Sequence, residues 1–196
     1  MKILFLTSNE IGNDLVKWLR LQGDKVYCQK KRLTLGVILK TKPSFIISYN
    51  YPFLIRKDIL KKSPPIINLH ISYLPLNRGS YPNIWSVLED TTSGVTIHLV
   101  DEGIDTGEIL AQMKVRIDFK KHTLQSSYSL LHSEIQKLFK KVWHSIKTGK
   151  IKPVKQAGRG SIHFDKDFVK ISCLIGRDGW NTPVLEFKKR YEFSKH

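Results

Sequence analysis

The chain has 196 residues, 41% of them apolar, and 33 Lys and Arg against 17 Asp and Glu give it a net charge of +16. This length suits one compact domain, and no apolar run approaches the roughly 20 residues of a transmembrane helix. MKILFLTS passes into polar residues without a signal-peptide cleavage site, and Cys28 and Cys173 lack disulfide or metal-ligand spacing. These features predict a soluble cytoplasmic protein and argue against membrane-spanning, disulfide-rich and zinc-binding classes.

The positive charge has several interpretations. Basic surfaces bind nucleic acids by neutralising phosphates, but here the excess is mostly lysine in scattered doublets, without an arginine-rich arm or interleaved aromatic residues. A solvated surface is favoured, and an anionic small substrate comes next. A basic nucleic-acid-binding module stays open as a non-enzymatic alternative, and salt-dependent binding to oligonucleotides tests it.

Strands and helices alternate over the first half of the chain. KILFLT is a short apolar run, and after it Leu15, Trp18 and Leu19 recur at helical spacing until Gly23. KVYCQ, SFIISYN and PPIINLHIS are predicted strands, with LTLGVILKTK as a short helix after the first of them. Alternating units of this kind indicate a largely parallel sheet.

The second half predicts fewer elements. PNIWSVLED is a predicted helix that Pro82 can begin, GVTIHLVD and EILAQMKVRID are predicted strands, and the segment from Thr123 to Lys150 is one long amphipathic helix. Beyond it the periodicity weakens, and FVKISCLIG is predicted as a last strand. We therefore predict an α/β protein with a Rossmann-like, mixed and mostly parallel sheet flanked by helices. Residues 1–149 would form the main body of this fold, and residues 150–196 a short C-terminal extension for dimerisation or site closure.

Polar side chains at strand ends form the candidate site, because open α/β sheets bind ligands outside the carboxyl ends of their strands. Asn68 and His70 end the predicted fourth strand and point to the same face, being two residues apart. Asp105 lies in the acidic loop DEGID after the fifth strand and is expected to join them. An amide, an imidazole and a carboxylate can stabilise an oxyanion and accept a proton when an external nucleophile attacks a carbonyl. No Ser or Cys nucleophile is arranged beside them.

Each of these residues also has a purely structural interpretation. Asn68 would then bond to neighbouring backbone, and His70 would be a hydrogen-bonded histidine at a strand end. His98, in the middle of GVTIHLV, is more typical of a core histidine than of a reacting group. Its best functional role is to orient Asp105.

The blocks NLHISYLPLNRG and GVTIHLVDEGIDTGEIL together resemble the catalytic core of the folate-dependent formyltransferases, whose pattern is Asn-x-His, a Leu-Pro turn, Thr-x-His and then an Asp. The resemblance covers roughly residues 1–149 and implies that they are the catalytic core. It implies that Asn68, His70 and Asp105 are the catalytic asparagine, histidine and aspartate. It also implies 10-formyltetrahydrofolate as the formyl donor, without a metal.

The segment SYNYPFLIRKDIL looks like the part of that family whose backbone holds the pterin ring of the folate. We predict a donor-binding set that combines this segment with the loop before the aspartate, because the buried polar edges of the ring need hydrogen-bond partners. Its members are Tyr49, Asn50, Tyr51, Pro52, Phe53, Leu54, Asp101, Glu102, Gly103 and Ile104. A catalytically idle binder of folate or a nucleotide stays open, and turnover with 10-formyltetrahydrofolate distinguishes it from an enzyme.

Three acceptors are compatible with the resemblance: initiator methionyl-tRNA, glycinamide ribonucleotide and the amino group of a nucleotide-linked sugar. The tRNA enzymes carry an additional C-terminal barrel and usually lack a histidine where this chain has His98. The glycinamide ribonucleotide enzymes differ in the residues that follow the catalytic histidine. LPLNRGSYPNIWSV and QAGRGSIHFDKDF look most like enzymes that formylate amino sugars for surface polysaccharides.

The sugar assignment predicts a set of acceptor-binding residues. Arg78 would bind the pyrophosphate or a sugar hydroxyl, and an exposed Tyr81 or Trp85 would stack on a base or sugar. The full predicted set is Arg78, Gly79, Tyr81, Asn83 and Trp85. The structural alternatives are a turn-bracing ion pair for Arg78 and a core position for Trp85. The nucleotide and the sugar stay open, and a homodimer is a possible assembly.

Overall fold

The computed structural model describes residues 1–195. Within that range there are eight strands: β1 (Lys2–Leu6), β2 (Lys25–Gln29), β3 (Phe45–Tyr49), β4 (Ile66–His70), β5 (Arg78–Gly79), β6 (Gly94–Leu99), β7 (Ile109–Lys114) and β8 (Ile162–His163). The same residues form seven α-helices: α1 (Asn13–Leu21), α2 (Leu35–Thr41), α3 (Lys57–Leu60), α4 (Pro82–Leu88), α5 (Leu124–Lys147), α6 (Asp165–Ile171) and α7 (Val184–Phe193). Short 3-10 turns occur at Glu10–Gly12, Ser172–Ile175 and Gly179–Asn181.

Six strands form one sheet in the order β2-β1-β3-β4-β6-β7, and β5 pairs with β8 in a separate two-stranded ladder. β1 runs parallel to β2 and to β3, and β3 runs parallel to β4. Every residue of β3 is buried, as expected of a parallel strand covered on both faces. The predicted fold class, a mixed and mostly parallel sheet flanked by helices, is confirmed.

β6 runs antiparallel to β4. The Val100 amide donates to the Ile66 carbonyl at 2.8 Å, and the side chains of His98 and Asn68 contact each other at 3.3 Å. Residue numbers therefore rise along one strand as they fall along the other. The loop after β6 thus begins beside the start of β4 and folds back to reach Asn68. We had expected the carboxyl ends of both strands to lie at the same edge of the sheet, and this expectation is wrong.

By compactness the chain comprises two units, one made of residues 1–70, 97–111 and 139–155 and the other of residues 71–96, 112–138 and 156–196. In the first unit the core joins β1, β3 and β4 to α2 and α3 through Leu4, Ile46, Ile66, Ile38 and Ile59. In the second unit α4, α6 and α7 bury a cluster of apolar residues that comprises Ile84, Trp85, Val87, Leu88, Leu124, Phe168, Val184 and Phe187. The predicted role of residues 150–196 as an extension for closure or dimerisation stays a prediction.

The prediction of a strand at FVKISCLIG is wrong, because this segment forms the second half of α6 and the 3-10 turn that follows it. Asp167 accepts the Phe164 amide at 3.0 Å at the beginning of the helix, and this hydrogen bond holds the pKa of Asp167 below its usual value. Phe168, Ile171 and Ile175 pack against one cluster, and their spacing of three and four residues is helical. Helix α7 was not predicted from the sequence, although Val184, Phe187 and Tyr191 follow the same spacing.

Among residues 1–195, no helix combines the length and hydrophobicity required to cross a membrane.

Candidate active site

Asn68, His70, His98 and Asp105 lie together in the first unit, as three elements bring them to one place. The Asn68 amide nitrogen donates to Asp105 Oδ1 at 3.1 Å and lies 3.3 Å from His98 Nε2. His98 Nε2 is itself 3.3 Å from Asp105 Oδ1. His70 Nδ1 is 3.6 Å from the other carboxylate oxygen, Oδ2. The sequence prediction that Asp105 meets Asn68 and His70 agrees with this geometry.

The protonation of His98 is constrained by what surrounds it. Nδ1 lies 2.7 Å from the Leu99 carbonyl oxygen, and a carbonyl can only accept, so Nδ1 carries a hydrogen. Nε2 then either accepts from the Asn68 amide or, with a second hydrogen, donates to Asp105 Oδ1. In both states His98 contacts Asn68 or Asp105, and its orienting role stays a prediction.

Three of the four side chains are largely shielded from water, and Asn68 is half-buried. The exposed fraction of the side chain is 8% for His70, 2% for His98 and 14% for Asp105. Electrostatic interactions are stronger in such a site than in bulk water. His70 Nδ1 and Asp105 Oδ2 are 3.6 Å apart, which is longer than a normal hydrogen bond. At this distance the two groups still interact electrostatically.

The loop between β6 and β7 is shaped by its own hydrogen bonds. Asp101 Oδ1 accepts from the Gly103 amide at 3.1 Å and from the Thr106 hydroxyl at 2.6 Å. Asp105 has a left-handed backbone conformation, with φ of 51°. Gly107 passes so close to β6 that a Cβ there would lie 1.7 Å from the Leu99 carbonyl oxygen. These contacts hold the backbone that presents the Asp105 carboxylate.

The first half of the predicted donor-binding segment is anchored within the same unit. Tyr49 is fully buried, and the Asn50 carbonyl accepts from both the amide and the hydroxyl of Ser8, at 3.2 and 2.8 Å. The Tyr51 hydroxyl accepts from the Leu33 amide at 2.7 Å and donates to the Lys31 carbonyl at 2.9 Å. Burial raises the pKa of Tyr51, against smaller opposing effects of the Leu33 amide and the Arg32 charge.

The second half of that segment offers groups to a ligand. Pro52 has no amide hydrogen, whereas the amides of Phe53 and Leu54 find no hydrogen-bond acceptor within residues 1–195. Leu54 is 68% exposed, and the Phe53 ring lies under the Arg32 guanidinium at 5.2 Å. Two adjacent backbone donors beside an aromatic ring fit the polar edge and flat face of a pterin.

The rest of the predicted donor set lies in the loop after β6. Glu102 forms an ion pair with Lys57 of α3 at 2.7 Å. Gly103 permits a tight approach, since a Cβ there would lie 2.0 Å from the Thr106 hydroxyl oxygen. Ile104 is half-buried and directly precedes Asp105. Any ligand held by this loop is therefore brought next to the Asp105 carboxylate.

The predicted acceptor-binding residues lie in the second unit. Arg78 donates to Gln156 Oε1 through Nε at 3.2 Å and Nη2 at 2.7 Å. A Cβ on Gly79, whose φ is +85°, would lie 2.2 Å from the His163 carbonyl oxygen. Tyr81 is stacked on Phe168 with the ring centres 3.8 Å apart. Arg78 therefore donates two hydrogen bonds to the side-chain amide oxygen of Gln156, in place of the ion pair considered from the sequence.

Asn83 and Trp85 differ from the other acceptor-set residues because both are buried in α4, at 4% and 6% exposure. Trp85 stacks on the His163 imidazole with ring centres 4.1 Å apart, and Glu89 lies 3.1 Å from His163 Nε2. The expectation of an exposed Trp85 ring is therefore wrong. Trp180, which the sequence analysis did not select, is 42% exposed and lies parallel to the Phe168 ring at 5.7 Å.

The fold and the residue cluster agree with a family model described as formyl transferase, which matches residues 9–142. The chain belongs to the formyl transferase family. The membership expected from the Asn-x-His and Thr-x-His blocks is thereby confirmed.

A solved structure similar to this chain is the formyltransferase PseJ from Anoxybacillus kamchatkensis, in complex with UDP-4,6-dideoxy-4-formamido-L-AltNAc and tetrahydrofolate. It is 40% identical, with a TM-score of 0.87 over 97% of this chain and 100% of PseJ.

Two methionyl-tRNA formyltransferases are also similar. That of Finegoldia magna is 36% identical over 56% of this chain and 33% of its own length. That of Anaeromyxobacter is 34% identical over 88% of this chain and 55% of its own length. The chain thus spans between a third and just over half of these curated relatives.

Proposed function

We propose that this protein transfers the formyl group of 10-formyltetrahydrofolate to the amino group of a nucleotide-linked amino sugar. The cluster of Asn68, His70, His98 and Asp105 carries this proposal, because it combines donors for an oxyanion with a carboxylate that can accept a proton. Membership of the formyl transferase family supports the formyl donor. The 40% identity to PseJ over its entire length supports the sugar acceptor.

The donor, when bound, supplies an activated formyl group and departs as tetrahydrofolate. Asn68 has two amide hydrogens, of which one is used on Asp105. When His98 Nε2 donates to Asp105 Oδ1, His98 does not accept the second amide hydrogen. In that state this hydrogen, together with the His70 imidazole, would stabilise the negative charge that develops on the formyl oxygen as the sugar amine forms its bond to the formyl carbon. Asp105 would accept the proton of the attacking amine, directly or through water, and pass it to the departing nitrogen. The site would then end the cycle with its starting charge.

The donor would be held by the segment 49–54 and the loop 101–104. The Phe53 and Leu54 amides would bind the polar edge of the pterin, and the anchored backbone of Asn50 and Tyr51 would keep them in place. The short loop to Asp105 would then bring the formyl group near the carboxylate. This arrangement explains why both segments are fixed by several hydrogen bonds.

The acceptor would be bound by the second unit through charge and stacking. Gln156 holds Nε and Nη2 of Arg78, which leaves Nη1 for a phosphate oxygen. Because Trp85 is buried, a base or sugar would stack on Tyr81 or Trp180 instead. The +16 net charge would attract an anionic nucleotide sugar. The protein would act in the cytoplasm, where it would supply formylated sugars for surface polysaccharide. It would do so as a monomer or a homodimer.

The acceptor assignment is tested by turnover with 10-formyltetrahydrofolate and a panel of thymidine-, uridine- and guanosine-diphosphate amino sugars. Initiator methionyl-tRNA and glycinamide ribonucleotide serve as comparison acceptors, the former because curated relatives carry that name. We expect formylation of at least one nucleotide sugar. Turnover with only methionyl-tRNA or glycinamide ribonucleotide would contradict the sugar acceptor. Folate binding without turnover on any acceptor would indicate an idle binder.

A further inference from the structure

The segment 156–161 packs against the turn that carries Arg78, within the second unit. The Asn77 amide donates to Ser161 Oγ at 2.9 Å, and the Arg78 amide donates to the Ser161 carbonyl at 3.0 Å. A Cβ on Gly160 would lie 3.3 Å from Cζ of Arg78. These hydrogen bonds therefore hold the segment beside the Arg78 guanidinium, and no side chain at position 160 separates the two.

The contact with Gln156 leaves one edge of the Arg78 guanidinium open. Gln156 Oε1 accepts from Nε at 3.2 Å and from Nη2 at 2.7 Å, so it occupies the edge that these two nitrogens share. The edge between Nη1 and Nη2 keeps its hydrogens for another acceptor. Arg78 is half-buried, and among residues 1–195 no carboxylate lies within ion-pair distance of it. A neutral amide thus orients this guanidinium, and its positive charge stays uncompensated.

Arg159 is a second cation in the same segment. It is exposed and directly precedes Gly160, whose backbone lies against Arg78. Neighbouring Cα atoms are about 3.8 Å apart, so the Arg159 side chain begins close to the Arg78 guanidinium. Within the described part of the chain, Arg159 also lacks a carboxylate at ion-pair distance. Two guanidinium groups without carboxylates beside one loop favour a ligand with two adjacent anionic groups, such as a diphosphate.

We propose that Arg78 and Arg159 bind the two phosphates of a diphosphate, and that Gln156 is a positioning residue that orients Arg78 without neutralising it. The inference rests on the proposed function and deepens it, because it assigns segment 156–161 to the pyrophosphate of the acceptor. A carboxylate at position 156 would accept the same two hydrogen bonds but would cancel the charge that the ligand needs. The amide of Gln156 supplies the geometry and leaves that charge to the ligand.

The test measures by calorimetry how tightly the full chain binds UDP, UMP and inorganic pyrophosphate at low salt. Uridine nucleotides are the probes because the similar PseJ structure holds a UDP-linked sugar. We expect UDP to bind roughly fivefold more tightly than UMP, since an exposed ion pair contributes a factor of up to about 5. Pyrophosphate should bind without any base, and about 0.5 M salt should weaken all three ligands because exposed charges are screened.

Gln156→Glu should weaken UDP binding by about tenfold or more, because the new carboxylate competes with the phosphate for Arg78. A purely structural role of Gln156 would leave UDP affinity unchanged, since glutamate keeps both hydrogen bonds. In turnover, the variant should raise KM for the nucleotide sugar and leave kcat nearly unchanged. The matched control is Gln125→Glu, an exposed glutamine on α5 with the same change in charge. Its UDP affinity should stay within about twofold of the parent.

Arg159→Ala should weaken UDP binding by about fivefold and reduce the preference for UDP over UMP. Arg159 is exposed, so this variant tests the site independently of any effect of Gln156→Glu on folding. Arg116→Ala is its control, because Arg116 is an exposed arginine of the same unit. The control should keep both the UDP affinity and the preference.

Two results would overturn the diphosphate site. One is that neither UDP nor pyrophosphate binds, and the other is that Gln156→Glu and Arg159→Ala bind UDP no more weakly than their controls. Formylation of a nucleotide sugar alongside either result would leave the proposed function intact. UDP binding that depends on Gln156 and Arg159, without formylation of any nucleotide sugar, would support the diphosphate site and contradict the proposed function.

Discussion

Asp105 is the residue on which the contacts of the candidate site converge. Its Oδ1 receives the Asn68 amide and faces His98 Nε2, while its Oδ2 faces His70. A carboxylate placed between these groups can receive a proton without leaving its position. The same contacts mean that removing any one partner changes the environment of the others, so the effects of single substitutions will not be additive.

We expect Asn68→Ala and His70→Ala each to lower turnover by about a hundred- to a thousandfold, because each removes a proposed donor to the developing oxyanion. Their affinity for 5-formyltetrahydrofolate should stay close to that of the parent. Asp105→Asn should keep the shape of the loop but remove the proton acceptor, so its residual rate should no longer rise with pH through the range of carboxylate titration. Steady-state kinetics with the identified acceptor and calorimetry with the folate measure both quantities. Near-normal turnover by all three folded variants would place the chemistry elsewhere.

At the scale of elements, the loop between β6 and β7 determines where Asp105 lies. It is closed at its beginning by the Asp101 bonds to Gly103 and Thr106 and at its end by the contact of Gly107 with Leu99. The loop has to fold back to reach Asn68, because β6 is antiparallel to β4 and ends beside the beginning of that strand. Glycine is required at position 107 by space, since the Leu99 carbonyl occupies the place of a side chain.

Gly107→Ala should displace the loop, because its Cβ would lie 1.7 Å from the Leu99 oxygen. A displacement of about 1 Å is enough to lower turnover by roughly a hundredfold, and the strain should cost about 1–3 kcal/mol of unfolding free energy. Gly36→Ala in α2 is the control. Its Cβ would meet Thr34 at an ordinary 3.7 Å, so stability should rise by about 0.5–1 kcal/mol without loss of activity. Turnover and urea denaturation check both variants, and an active Gly107→Ala enzyme would refute the proposed role of this contact.

At the scale of the whole molecule, an excess of positive charge is combined with a buried histidine. His132 is 7% exposed in α5, packs edge-on against Tyr128 at 4.2 Å, and burial lowers its pKa from 6.5 to about 4. The folded state thus resists protonation of this group, whereas the unfolded chain takes up the proton near its ordinary pKa. Acidification also adds charge to a chain that already carries +16, which favours expansion.

The unfolding free energy should therefore fall as the pH decreases below about 6.5 and should level off near the folded-state pKa of His132, at about 4. Between about pH 7.5 and pH 5 the loss from this residue should be on the order of 1–2 kcal/mol. His132→Gln, which does not titrate, should lose correspondingly less stability over the same interval. Urea denaturation of parent and variant at several pH values measures the difference. Identical slopes would show that another group is responsible.

The amino-acid sequence determined the elements that rest on local periodicity and the residues that rest on a local motif. Apolar runs indicated the six sheet strands, and Asn68, His70 and Asp105 stood out because amide, imidazole and carboxylate followed buried strands. The C-terminal segment FVKISCLIG was misread because a short, mostly apolar run suits a strand and a helix equally well. Its helical spacing becomes evident only when Phe168 and Ile171 meet a shared core.

Only the tertiary structure decided the remaining points, because each depends on contacts between residues far apart in the chain. The antiparallel direction of β6 depends on pairing between Val100 and Ile66, which no local pattern specifies. Trp85 is buried because His163 covers its ring from 78 residues further along the chain. Lys57 is joined to the loop of Asp105 by an ion pair across 45 residues. Local sequence thus selects the reactive groups, and long-range packing decides which of them face each other and which are covered.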